Sequence, residues 1–200
     1  LGPAPVTLLG HSFGGGPATE AALLDPKRIG HLVLVDAAVG LREDVVACSP
    51  PGSAGALLAW PGLRTLLVAG AGTEPGLSRY WLEQFVARKE VVTVERTAIY
   101  QKPFASRGFS EGLGDWAYQF ATDCEQPAST QPASLRKLRV PVSLVWGDLD
   151  TITPLAQGQR LQQLMPNARL TVLHGVGHIP QIEDVAAFDF AMGNVLRGPP

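Results

Sequence analysis

Three short stretches of this chain carry side chains whose chemistry depends on one another. In the first, Leu8-Leu9-Gly10-His11-Ser12-Phe13-Gly14-Gly15, a serine follows an apolar, strand-like run and lies between glycines. A Gly-x-Ser-x-Gly sequence at a strand-to-helix turn projects the hydroxyl out of the backbone, because residues without a side chain can flank so tight a turn. Read alone, the same run is also a glycine-rich turn with Ser12 as the N-cap of the next helix. A serine hydroxyl is a poor nucleophile at neutral pH. It needs an imidazole to take its proton, and the imidazole needs a carboxylate to fix its tautomer and stabilise its cation. Both follow in the chain. Residues 141–146 read as a buried strand that runs into Gly147-Asp148-Leu149-Asp150, and residues 168–173 read as another that runs into His174-Gly175-Val176-Gly177-His178. An acid and a histidine therefore each sit just past a strand end, in the order Ser, Asp, His. Rivals are present. Asp36 ends the strand-like run 31–35 and is either a displaced acid or a polar strand cap; His174 directly follows its strand; His11 and His31 flank strands and read as structural.

The elements that must position these groups form an α/β pattern. Residues 6–9 are a short continuous apolar run, as in a parallel strand covered on both faces. The helix after Ser12 should carry Ala18, Ala21 and Ala22 toward the sheet, be bent or have its first hydrogen bonds loosened by Pro17 in its second turn, and end near Asp25 and Pro26. Strands near Leu8, Leu32, Val142 and Leu170, with helices between, imply a mostly parallel sheet. After the second acid, Pro154 suits a first helical position, with Leu161, Leu164 and Met165 buried. A last helix is expected over about 183–196, with Val185, Phe188, Met192 and Val195 on one face and with Glu183 and Asp184 serving its dipole. About 100 residues separate the second strand from the third, far more than a normal crossover, so residues 39–139 are expected to form an inserted, mainly helical cap and residues 1–38 with 140–200 the core. Within the insert, 48–62 is rich in Pro, Gly, Ala and Ser, pieces near 77–86 and 116–121 are amphipathic, and 126–134 reads as a connector. The aromatics Trp60, Trp81, Phe85, Tyr100, Phe104 and Trp116 suit either a pocket lining or a helical core, with core the first expectation.

Taken together, the segments 6–15, 31–38, 146–154 and 175–183 resemble the α/β-hydrolase superfamily, specifically its cap-bearing esterase-like and carbon–carbon hydrolase-like members. The resemblance implies Ser12 as nucleophile, Asp150 as the acid and His178 as the base; it favours Asp150 over Asp148 because the acid stands three residues after the strand-ending Gly147. It also implies the backbone N–H of Phe13 as an oxyanion donor. The family carries about four strands ahead of this serine, and the loop after its third strand supplies a second donor. This chain opens at Leu1, one short strand before Ser12, so the expectation is the carboxyl-terminal portion of a longer hydrolase, with an open sheet edge that invites dimerisation or a missing amino-terminal segment.

Composition narrows the function classes. The 200 residues, 46% of them hydrophobic, suffice for one core with an insert, and a formal charge of −2 without a Lys/Arg cluster argues against nucleic acid. Cys48, Cys124 and the four histidines show no metal-ligand spacing, so no metal is expected, while a single disulfide stays open. No apolar run approaches the roughly 20 residues of a membrane span; the compartment stays open, cytoplasmic by default. The leading expectation is a serine hydrolase for an ester-like or other acyl bond in a small carbonyl-bearing molecule, without a cofactor. Serine rather than aspartate at position 12 disfavours the dehalogenase and epoxide hydrolase branches. Carbon–carbon hydrolase, perhydrolase or acyltransferase use of the same groups stays open, as does a non-catalytic fragment that acts as a binding module or is complemented by a separate amino-terminal chain.

Overall fold

The computed structural model describes residues 2, 4–40, 56, 58–122 and 127–197. Cys48, Cys124 and most of the Pro- and Gly-rich stretch 48–62 lie outside them, as does the start of the 126–134 connector. In chain order the elements are β1 (Val6–His11), α1 (Gly15–Leu24), β2 (Ile29–Val35), α2 (Pro61–Thr73), α3 (Pro75–Phe85), α4 (Val94–Gln101), α5 (Phe109–Thr122), α6 (Pro132–Leu135), β3 (Val142–Gly147), α7 (Leu155–Leu164), β4 (Ala168–Leu173), α8 (Pro180–Glu183) and α9 (Val185–Arg197). The chain divides into two compact units: Leu1–Val45 with Phe85–Arg88 and Gln126–Pro200, and Val46–Gln84 with Lys89–Glu125.

The first unit is an α/β fold on a four-stranded sheet of order β1-β2-β3-β4, every neighbouring pair parallel, with Leu8 opposite Leu32, Leu32 opposite Val142 and Val142 opposite Ala168. Burial follows position in the sheet. β3 is buried along its whole length and β2 everywhere except Gly30, as largely apolar central parallel strands are, and their polar side chains His31 and Ser143 hydrogen-bond to each other. β1 and β4 alternate between more and less exposed residues, and no strand among the described residues pairs with the outer edge of β1. The period-two geometry of a strand separates two cores. Leu32, Leu34, Leu144 and Trp146 pack with Ala18 and Ala22 of α1, Leu135 of α6, and Leu161 and Leu164 of α7. Val33, Val35 and Val145 on the other face pack with Ala191, Met192 and Val195 of α9.

Several helix details differ from expectation. Pro17 is the third residue of α1 and not in its second turn, so its missing N–H falls among the first-turn groups that have no intrahelical acceptor. Of the three alanines, Ala18 and Ala22 are buried and Ala21 only partly so. Pro154 is the N-cap of α7, one residue before its first turn. The last helix begins at Val185, which is half exposed, and Glu183 belongs to the separate turn α8.

The second unit is helical. α2 packs against α5, where Arg64 ion-pairs with Asp115 and lies 4.7 Å from the Tyr118 ring centre. Gly72 of α2 lies against the Phe104 ring, which meets Phe109 edge-on at 5.0 Å; any larger residue at 72 would overlap that ring. Trp60, Trp81, Tyr100 and Trp116 are exposed and form no core, contrary to expectation.

Candidate active site

Ser12 leaves β1 into a single 3-10 turn, Ser12–Gly14, that leads directly into α1. Its φ is +50°, a left-handed conformation that costs a non-glycine residue on the order of 1–3 kcal/mol and persists only when the surroundings impose it. The surroundings do. The Ser12 carbonyl accepts the N–H of Ala38 at 2.7 Å and the N–H of Gly15. A β-carbon on Gly10 would overlap the Gly14 carbonyl and the Ala18 side chain, and one on Gly15 would overlap Ala37, whereas one on Gly14 would meet nothing within 4 Å. The close approach thus rests on Gly10 and Gly15, and Gly14, the second glycine of the Gly-x-Ser-x-Gly sequence, is spatially dispensable. Gly10→Ala and Gly15→Ala are each expected to lower the thermal midpoint by several degrees, as overpacked positions do, while Gly14→Ala leaves it within about 2 °C. Thermal unfolding of the three variants checks this.

The strand ends bring the separate groups together. Ser12 Oγ lies 2.7 Å from His178 Nε2, and His178 Nδ1 lies 2.9 Å from Asp150 Oδ2. His178 and Asp150 are buried. Asp150 Oδ1 accepts the N–H groups of Ile152 at 2.7 Å and Thr153 at 2.9 Å, and Oδ2 lies 2.6 Å from the Thr153 hydroxyl. Burial opposes ionisation of Asp150, but the hydrogen bonds from His178 and Thr153, with the His178 charge, hold its carboxyl below the ordinary carboxylate range. Phe13, whose N–H the resemblance puts forward as an oxyanion donor, occupies the turn directly after Ser12.

The rivals pair with each other instead. His174, largely exposed, meets Asp148 Oδ2 at 3.0 Å, and Asp148 Oδ1 accepts the Gly175 N–H at 2.7 Å. Neither has a hydrogen bond to Ser12, His178 or Asp150 among the described residues. His31 is buried against the Ser143 hydroxyl at 2.9 Å, as a structural histidine. Asp36 is fully buried at the end of β2, with φ +40° and its Oδ1 accepting the Gly147 N–H at 2.8 Å.

Two supports were not visible in the sequence. His11 does more than flank its strand: its Nε2 donates to the His178 carbonyl at 2.8 Å and the two rings lie 5.3 Å apart. The His178 N–H in turn donates to the Phe85 carbonyl at 3.0 Å, with the Phe85 ring 5.7 Å from the imidazole. Glu183, read as a helix-dipole residue, is buried and accepts four backbone N–H groups: Ala87 at 2.7 Å, Gly177 at 3.0 Å and Arg88 at 3.1 Å on Oε2, and Ile179 at 3.2 Å on Oε1. It clamps the histidine loop to residues 85–88. Asp184 does act at a helix start, accepting the Ala187 N–H at 3.0 Å. The only sequence signal for Glu183 was an acid five residues after His178, which solvated helix starts also show.

Among the described residues no group of three His, Cys, Asp or Glu side chains is placed to hold a metal ion, and no helix is long and apolar enough to cross a membrane.

Comparison with known proteins agrees with this architecture. The chain is 30% identical over 193 residues to an uncharacterized protein of Mycobacterium tuberculosis, covering 92% of this chain and 53% of that one. It is 28% identical over 191 residues to the 2-hydroxymuconate semialdehyde hydrolase of Pseudomonas putida, covering 94% and 61%. The chain thus spans about half to three-fifths of the length of these relatives. The fold superposes on a meta-cleavage product hydrolase of Pseudomonas fluorescens with a TM-score of 0.73 at 23% identity, over 97% of this chain and 65% of that one. The sequence pattern of the alpha/beta hydrolase fold family matches residues 1–185, and the chain belongs to that family.

Proposed function

We propose that this chain carries the reacting groups of a serine hydrolase that cleaves an ester-like or other acyl bond in a small carbonyl-bearing molecule. The observation that carries the reading is the continuous relay from Ser12 Oγ through both ring nitrogens of His178 to Asp150, at 2.7 and 2.9 Å, with the serine held on a strained turn. In this reading Ser12 attacks the carbonyl carbon as His178 Nε2 takes its proton, and Asp150 holds Nδ1–H and stabilises the imidazolium. The Phe13 N–H donates to the developing oxyanion. His178 then returns the proton to the leaving group, and the cycle repeats with water as nucleophile. The helical unit, inserted in sequence between β2 and β3, is the proposed cap and the element that selects the substrate.

Similarity to 2-hydroxymuconate semialdehyde hydrolase favours a second reading, in which the same groups cleave a carbon–carbon bond next to a carbonyl. The two share their first test. A serine-directed fluorophosphonate should label the chain, and Ser12→Ala should abolish the label. Label that survives Ser12→Ala, or a folded chain that takes none, would overturn both. Turnover of p-nitrophenyl acetate without turnover of 2-hydroxymuconate semialdehyde favours acyl hydrolysis; the reverse favours carbon–carbon cleavage.

A further inference from the structure

Asp36 has no role in the relay as described, yet it is built into the site. It is fully buried, and its backbone N–H is tied to the Val145 carbonyl at 3.0 Å. Its own carbonyl lies 3.0 Å from the Thr153 hydroxyl and its Oδ1 accepts the Gly147 N–H at 2.8 Å. No N–H or O–H among the described residues reaches its Oδ2. The Thr153 hydroxyl also lies 2.6 Å from Asp150 Oδ2, so the Asp150 carboxyl is the one brought up to Asp36. Two carboxylates cannot both ionise cheaply in so dry a place, and an unpartnered buried carboxylate oxygen is costly, so a proton shared between them answers both problems.

We propose that Asp36 is a positioning residue for Asp150: it stands in the site as the neutral acid and donates its Oδ2 proton to the Asp150 carboxylate. The inference rests on the reading of Asp150 as the acid partner of His178. Asp150 takes three N–H donors, from Ile152, Thr153 and His178. The remaining position is contested. Thr153 has one hydroxyl proton and two acceptors in reach, Asp150 Oδ2 at 2.6 Å and the Asp36 carbonyl at 3.0 Å. When that proton turns to the Asp36 carbonyl, Asp36 itself supplies the fourth donor to Asp150. The acid partner of His178 is then an acid–carboxylate pair with one negative charge, held at both ends by backbone N–H groups. Burial, then the charge of Asp150 and more weakly that of Glu183, push the Asp36 carboxyl up to about 9 against the opposing Gly147 N–H, so the neutral form persists through neutral pH.

The test compares Asp36→Asn with Asp36→Ala in the full chain. Asparagine keeps an acceptor for Gly147 and an N–H for Asp150, so fluorophosphonate labelling at pH 7 should stay within about threefold of the parent. Alanine should lose about 10- to 100-fold, the worth of one hydrogen bond to a charged group. The labelling rate of the parent should fall as pH rises past about 9, where Asp36 ionises and repels Asp150, and Asp36→Asn should lack that limb. A readout without catalysis is the carbon-13 carboxyl titration of aspartate-labelled protein: one resonance should stay protonated through pH 8 and vanish in Asp36→Asn. An Asp36 resonance that titrates in the ordinary carboxylate range, or an Asp36→Asn variant that is folded and as slow as Asp36→Ala, overturns the proposal. A parent chain that takes no label overturns the nucleophile reading instead, and the titration then decides the carboxyl pair alone.

Discussion

Replacing His178 with alanine should slow fluorophosphonate labelling of Ser12 by about 10⁴- to 10⁶-fold, the range over which removal of one member of a serine–histidine–acid relay acts. The size follows from the proton inventory. Without the imidazole, Ser12 has no base within hydrogen-bonding distance among the described residues, since His11 is committed as a donor to the His178 carbonyl. Burial also lowers the pKa of His11, against the raising effect of that hydrogen bond, which keeps it from becoming a competing cation. Asp150→Asn should cost about 10⁴-fold, because an amide facing Nδ1 allows the wrong tautomer of the ring. The matched control is His174→Ala. Its partner Asp148 is turned from the relay, so labelling should stay within about twofold. Second-order rate constants from the time course of labelling, with circular dichroism to show that each variant folds, check all three. A large loss in His174→Ala would mean that the exposed pair, and not the buried one, serves Ser12.

The second large effect is on stability. Glu183→Ala would strand the N–H groups of Ala87, Arg88, Gly177 and Ile179 in one step. A buried donor left without a partner costs about 1–3 kcal/mol, which applies in full to Gly177 and Ile179 and in part to the half-buried Ala87 and Arg88. Relaxation makes the sum smaller than four such losses, but about 4 kcal/mol remains a sound order of magnitude and a large share of the 5–15 kcal/mol that holds a domain together. Glu183→Gln should cost less: one oxygen can still serve the three donors on Oε2, and the amide N–H₂ then faces the Ile179 N–H. Urea unfolding of the parent and both variants gives the order directly. Equal losses in Gln and Ala would show that the negative charge, and not acceptor count, is what the loop needs.

How much of this was legible in the sequence divides along physical lines. The strands were, because 32–35 is an unbroken apolar run and 142–146 is apolar except for Ser143, as a doubly covered parallel strand requires. That Ser12, Asp150 and His178 meet in space was legible for a related reason: each follows a strand end, and parallel strands put those ends on one edge of the sheet. Glu183 and His11 were not. Their partners are backbone groups of residues far along the chain, Ala87 and Arg88 in one case and His178 in the other, and main-chain donors and acceptors leave no trace in side-chain pattern. The unequal roles of Gly10, Gly14 and Gly15 were hidden too. In sequence Gly10 and Gly14 satisfy the motif and Gly15 merely follows it; in space Gly10 and Gly15 abut Ala18 and Ala37 and Gly14 abuts nothing within 4 Å. Asp36 read as a strand cap, and its burial beside a second carboxyl emerged only from the pairing of β2 with β3.

The all-parallel order of the sheet bears on how the chain acquires reactivity in time. No neighbouring strands form a hairpin, so each pairing closes a long loop, and the hydroxyl and imidazole that must meet are 166 positions apart. Loop closure must be met before distant contacts repay it, which makes such topologies slow to form compared with helices built from local contacts. Helical signal is therefore expected first during refolding, and Ser12 Oγ meets His178 Nε2 only when all four strands have come into register. If Ser12 is the nucleophile proposed above, reactivity at this one oxygen is a clock for completion of the sheet.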